Sequence, residues 1–97
     1  MTGVQTCALP ISDELAPRGI RVVGLLPGTF ATELVVGRED ASGDPARARS
    51  DAEAGIPLGR VGEPAEFGRV AAFLLSPAAS YVTGTSVAVD GGRLRTP

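Results

Sequence analysis

The chain has 97 residues, 43% of them hydrophobic and 21% charged, with a formal net charge of −2 and a sequence pI of about 5.0. That length allows one small domain, and the acidic balance gives no basic footprint for nucleic acid. Apolar stretches such as Val70–Leu75 are far shorter than the roughly 20 residues a membrane span needs. With no His, no Lys and a single Cys, a His-based triad, a Schiff-base lysine, a His/Cys metal cluster and a disulfide scaffold are all excluded within the chain. The expectation is no metal site, no nucleic-acid partner, no membrane partner and a cytoplasmic setting.

Met1–Ile11, MTGVQTCALPI, lacks the basic n-region and the long apolar h-region of a targeting peptide. It resembles a translated sequencing-adapter oligonucleotide. ACT-GGA-GTT-CAG-ACG-TGT encodes Thr2–Cys7, GCT-CTT-CCG-ATC encodes Ala8–Ile11, and an initiating GTG supplies Met1. Residues 1–12 are therefore expected to be a non-native leader with Ser12 at the junction, outside the fold, and Cys7 has no catalytic role.

Asp13–Arg18 reads as the last turn of a helix, with Gly19 at its C′ position and Pro17 loosening it. Ile20–Leu26 is a short, β-branched, almost unbroken apolar run, the pattern of a strand covered on both faces in a parallel sheet; Pro27-Gly28 ends it. Thr29–Gly55 has mixed polarity and suggests two short helices, near Ala31–Val36 and Pro45–Ala54, joined by a mobile loop. Such irregular segments beside a strand end are commonly substrate lids. Pro64 at a first helical position and Glu63 and Glu66 beside it open a helix. Phe67, Val70, Ala71 and Leu74 form its core-facing stripe, widened by Phe73 and Leu75. Gly68 inside it suggests close packing, and Ser76-Pro77 stops it. Ser86–Asp90 is a short strand, Gly91-Gly92 permits a sharp exit, and Arg93–Pro97 is a frayed tail.

Four pieces in this order, LAPRGIRV (Leu15–Val22), LPGTFAT (Leu26–Thr32), PLGRVGEPAEF (Pro57–Phe67) and SYVTGTSVAVDGG (Ser80–Gly92), resemble the C-terminal end of a short-chain dehydrogenase/reductase. Their wording is also similar to the 3-oxoacyl carrier-protein reductase branch. The resemblance implies an α/β fold: the C-terminal part of a Rossmann-type doubly wound parallel sheet, here two strands, one long helix and short lid helices, spanning 13–92 with a lid at about 29–56 and a tail at 93–97. It implies NAD or NADP as cofactor and a small-molecule carbonyl or alcohol as substrate. Pro27, Gly28, Phe30 and Thr32 would be the cofactor-binding residues. Gly28 would let the backbone approach a flat ring, and the Phe30 backbone and Thr32 hydroxyl would hold the nicotinamide carboxamide. From the residues alone, Pro27-Gly28 is a turn and Thr32 caps the next helix. Val23 stands where many relatives carry Asn.

The same resemblance shows what is missing. The chain contains no TGxxxGxG, no NAG and no YxxxK pattern. Tyr81 is followed four residues later by Thr85 rather than Lys, so Tyr81 is expected to be structural, Asp90 to cap a turn, and Arg60 and Glu63-Pro64 to form a solvated loop and helix start. No catalytic residue is assigned. The expected function is that of a C-terminal segment of an NAD(P)-dependent oxidoreductase, inactive alone and part of a homo-oligomer. The alternative is a non-catalytic oligomerisation segment acting through the 64–76 helix and the 86–90 strand.

Overall fold

A computed structural model describes residues 2–94, with side chains from Leu9 onward; Met1, the Cys7 side chain and residues 95–97 lie outside the described residues. The order is α1 (Thr2–Leu15), a 3-10 turn (Ala16–Arg18), β1 (Val23–Pro27), α2 (Glu33–Ala41), α3 (Pro45–Ala54), α4 (Pro64–Leu75), a second 3-10 turn (Pro77–Ala79) and β2 (Thr85–Val89). β1 and β2 form a two-stranded parallel sheet in the register Val23↔Thr85 to Pro27↔Val89. Parallel pairing requires a long crossover, and α2, α3 and α4 supply it.

Both strands are displaced from the sequence expectation. Gly19, at φ 74°, turns the chain out of the first 3-10 segment, and Ile20 stays 45% exposed. Pairing begins only after the Val22 amide has bonded to Thr83 Oγ1 (3.0 Å) and its carbonyl has accepted the Gly84 amide (2.9 Å). β2 begins and ends one residue early because Asp90 turns the chain. Its Oδ1 accepts the Gly92 amide and its Oδ2 the Leu94 amide, both at 2.9 Å. Asp90 thus caps a turn, as expected, and Leu94 is tied down rather than frayed. Val23–Leu26 are only half-buried, so β1 is not covered on both faces.

The first helix also differs from expectation. Residues 2–11, which the sequence reading leaves outside the fold, form one helix with Ser12–Leu15. This helix packs along both strands, buries Ser12 to 2% exposure and joins Ser12 Oγ to Thr83 Oγ1 at 2.8 Å. α4 keeps its expected start at Pro64 and stop at Ser76. Phe67, Val70 and Ala71 are half-buried and Leu74 is buried, but Phe73 (50%) and Leu75 (83%) are exposed and do not widen the stripe. Gly68 is not a close-packing position, since a Cβ there would meet nothing within 4 Å. Tyr81, expected to be structural, is fully exposed.

The buried apolar residues fall into two small groups. Phe30, Ile56 and Val61 gather beyond the C-terminal strand ends, and Leu74 and Ala79 lie at the end of α4 and the turn after it. The Cα radius of gyration is 16.2 Å, against about 12.5 Å for a compact chain of this length. Two glycines therefore have opposite predicted effects. Gly28→Ala would place a Cβ 2.7 Å from Asp90 Cα, an overpacking that destabilises by about 1–3 kcal/mol. Gly68→Ala gains roughly 0.5–1 kcal/mol from helix propensity. Urea unfolding followed by circular dichroism measures both, and shifts of the same sign contradict this packing.

Candidate functional site

The C-terminal edge of a parallel α/β sheet is where ligands bind, because the chain exits there diverge. β1 ends at Pro27, which has no amide to give to a ladder; the Gly28 amide resumes the pairing by donating to the Val89 carbonyl at 3.0 Å. The glycine at 28 is required by the neighbouring strand exit, since its Cβ would meet the Cα and Cβ of Asp90, each at 2.7 Å. The sequence reading attributes this glycine to the approach of a flat ring; the close approach present is that of Asp90.

From Gly28 the chain passes through Thr29 to Phe30, which forms an isolated parallel bridge with Gly62. The Gly62 amide donates to the Thr29 carbonyl and the Ala31 amide to the Gly62 carbonyl, both at 2.9 Å. Phe30 is buried and meets Phe67 edge-to-face, with centroids 5.6 Å apart, a preferred aromatic geometry. A Cβ at Gly62 would sit 2.5 Å from the Phe30 ring. Residues 31–61 therefore leave and return through one narrow neck.

Within this excursion, Thr32 caps α2, its Oγ1 accepting the Val35 amide at 3.3 Å. α2 runs on to Ala41 through Gly37, and α3 spans Pro45–Ala54 as expected, with Asp44 Oδ1 accepting the Arg47 amide. The loop expected between them is a short tied turn, in which Ser42 Oγ donates to the Glu39 carbonyl at 2.6 Å and accepts the Asp44 amide at 3.3 Å.

Between the end of β1 and this pair of helices opens a cleft of about 520 Å³, lined by Pro27, Gly28, Phe30 and Thr32 together with Val35, Arg38, Glu39, Ala48 and Ala52. All four sequence-assigned cofactor residues thus line one cleft. A second cleft, about 500 Å³, lies on the other side of Thr29 and Phe30, bordered by Pro57, Leu58, Arg60 and Val89. Arg60 is an exposed loop residue, as expected, and is tied to the helix that follows. Its guanidinium takes both Glu66 oxygens at 2.7 and 2.8 Å. That contact, with the Glu63 amide, holds the Glu66 carboxyl down at about 2. Glu39 is likewise held below the usual carboxylate range by its hydrogen bonds from Arg49. Depressed in this way, both carboxylates stay ionised in the folded chain as pH falls through the ordinary glutamate range, and the stability they contribute is lost progressively from that range down to their lowered values. Tyr81 precedes β2, so the strand's length, roughly 16 Å, separates it from either cleft.

The comparisons agree with this geometry. A family model described as enoyl-(acyl carrier protein) reductase, of the short-chain dehydrogenase/reductase group, matches residues 2–93. The chain belongs to the short-chain dehydrogenase/reductase family. It is 44% identical over 92% of its length to L-rhamnose 1-dehydrogenase (NAD(P)(+)) of Azotobacter vinelandii, covering 32% of that protein. It is 45% identical over 84% of its length to galactitol 2-dehydrogenase (L-tagatose-forming) of Cereibacter sphaeroides, covering 31% of it. The crystal structure of YwfH, an NADPH-dependent reductase involved in bacilysin biosynthesis, matches 99% of the chain with TM-score 0.86 and 35% identity, over 38% of that structure. The chain spans about a third of the length of the curated relatives it matches. As a short-chain dehydrogenase/reductase segment it has the expected α/β architecture. No helix among the described residues is long and apolar enough to cross a membrane.

The sequence reading misses two features of this site. Glu39 and Arg49 are ten residues apart on different helices, a spacing with no meaning within one helix. Gly62 looks like an ordinary loop glycine until Phe30 is placed against it. The one available signal, an acid and a base on consecutive short helices, is too common to single out a pair.

Proposed function

We propose that this chain is the nicotinamide-side and lid segment of an NAD(P)-dependent oxidoreductase that interconverts a small-molecule alcohol and carbonyl. The observation that carries the reading is the gathering of Pro27, Gly28, Phe30 and Thr32 in the lining of the cleft at the sheet's C-terminal edge. A carboxamide offers two donors and an acceptor. The Thr32 hydroxyl, although it already accepts the Val35 amide, keeps its own proton to donate to a carboxamide oxygen. The coenzyme, when bound, supplies or accepts the hydride. This chain's residues orient the ring and cover it: Phe30 packs the wall and α2 and α3 exclude water from above. The relatives' names, with NAD(P)(+) in one and NADPH in another, support the coenzyme class and leave both nucleotides open. Similarity in wording to the 3-oxoacyl carrier-protein reductases is the finer branch we favour, and a cytoplasmic setting suits that chemistry.

We propose that the chain alone turns nothing over. With no Lys in the sequence and the only Tyr exposed at the far end of β2, it has no acid placed to protonate a carbonyl as hydride arrives. The first eleven residues we assign to adapter translation. Resequencing the locus decides their origin.

The coenzyme reading is tested by titrating nicotinamide mononucleotide into the isotope-labelled chain. Amide shifts are expected at Gly28, Phe30 and Thr32. Thr32→Val should weaken binding about fivefold to tenfold, in line with loss of one polar contact, while Thr32→Ser, which keeps both cap and donor, retains it. Shifts confined to Asp90–Leu94, or equal binding by both variants, would overturn the assignment.

A second reading rests on α4. Phe73 and Leu75 are exposed, Leu75 lining a groove with Arg21, Val23, Leu25, Ala71 and Leu74, and apolar groups left open in this way favour association. We propose that α4 and β2 also carry self-association. Light scattering should give an oligomer for the chain and a lower mass for Phe73→Ser/Leu75→Ser; a monodisperse wild-type monomer contradicts it.

A further inference from the structure

The lid helices are held together in an unusual way for a helix pair. Neither α2 nor α3 contains a fully buried residue, and of their apolar side chains only Val35 and Ala48 are half-buried. Arg49 instead meets Glu39 side-on, Nε to Oε2 at 2.6 Å and Nη2 to Oε1 at 2.9 Å. This paired geometry fixes orientation as well as distance. The Glu39 side chain is 11% exposed and that of Arg49 32%, whereas the ion pair within α3, Arg47–Asp51, spans 4.0 Å with both side chains more than three-quarters exposed. Glu39 lines the cleft together with Ala48 and Ala52, which flank Arg49 on α3. At the other end of α3, Glu53 Oε2 accepts the Val61 amide at 3.3 Å, tying the helix to the neck.

We propose that Glu39 and Arg49 are positioning residues, a latch that joins α2 and α3 into one plate and sets the roof formed by Val35, Ala48 and Ala52 over Thr32. With both charges engaged by each other, the plate moves about the Phe30–Gly62 neck as a unit rather than as two helices that order separately. The latch rests only on the lid geometry; if it fails, the nicotinamide contacts, read from ligand-induced shifts at Gly28, Phe30 and Thr32, stand or fall separately.

Amide hydrogen exchange on the full chain without ligand tests it. In Glu39→Gln, amides of 33–41 and 45–54 are expected to exchange together, roughly tenfold faster, with β1, β2 and α4 unchanged. The swap Glu39→Arg/Arg49→Glu should restore protection, and Asp51→Asn should leave the wild-type pattern. Acceleration limited to one lid helix, no acceleration, or acceleration spread equally through the sheet would each overturn the latch. So would a swap that fails to restore protection while the sheet remains protected.

Discussion

β1 and β2 run side by side so closely at their C-terminal ends that residue 28 has no room for a side chain, and the site depends on that contact. The Gly28 amide extends the ladder one step past Pro27, and Asp90 lies where a Cβ on residue 28 would be. Beyond this point the two exits are driven apart by different local chemistry. Asp90 spends both carboxylate oxygens on the Gly92 and Leu94 amides and folds its chain back, while Thr29 and Phe30 leave toward the lid. A crevice at the edge of a parallel sheet is the geometric result, and in this chain it is divided into two clefts by Thr29 and Phe30.

The neck transmits that constraint to the lid. Four backbone groups pair across it, the Gly62 amide with the Thr29 carbonyl and the Ala31 amide with the Gly62 carbonyl, and the Phe30 ring occupies the space a side chain at 62 would need. Charges around the site are mostly paired internally. Arg60 with Glu66 secures the start of α4, Arg49 with Glu39 joins the lid helices, and Asp90 is committed to amides. The wall assigned to the coenzyme is left with apolar surface, a glycine and a threonine hydroxyl, a composition suited to a flat neutral ring carrying one amide. The family assignment and the α/β architecture rest on independent comparisons, and they agree with the way these local contacts arrange the sheet edge.

The parts legible in the sequence were those set by local chemistry. Pro64 and Ser76-Pro77 bound α4 because proline acts on its immediate neighbours; Pro45 started α3, and Asp90-Gly91-Gly92 marked the turn after β2 in the same way. The errors came where distant residues decide the outcome. Ile20 reads as strand, but the strand starts where Thr83 and Gly84 offer partners to Val22. Gly68 suggests a close neighbour only if some element faces it, and none does. Phe73 and Leu75 extend a plausible apolar stripe, but the two-stranded sheet is too narrow to cover them. Residues 2–11, set aside on the strength of their codons, continue the helix of Ser12–Leu15. Thr32 fits both readings, because a cap uses its oxygen and leaves its proton.

One tight strand pairing and one neck hold the cleft in place before any ligand arrives. Residue-resolved hydrogen exchange of the Gly28, Ala31 and Gly62 amides reads this out. All three are expected to be protected to the level of the Leu25 and Val87 ladder amides, and far more than Gly43 in the turn between α2 and α3. Exchange of Ala31 and Gly62 at the Gly43 rate, with the β1–β2 ladder still protected, would contradict it.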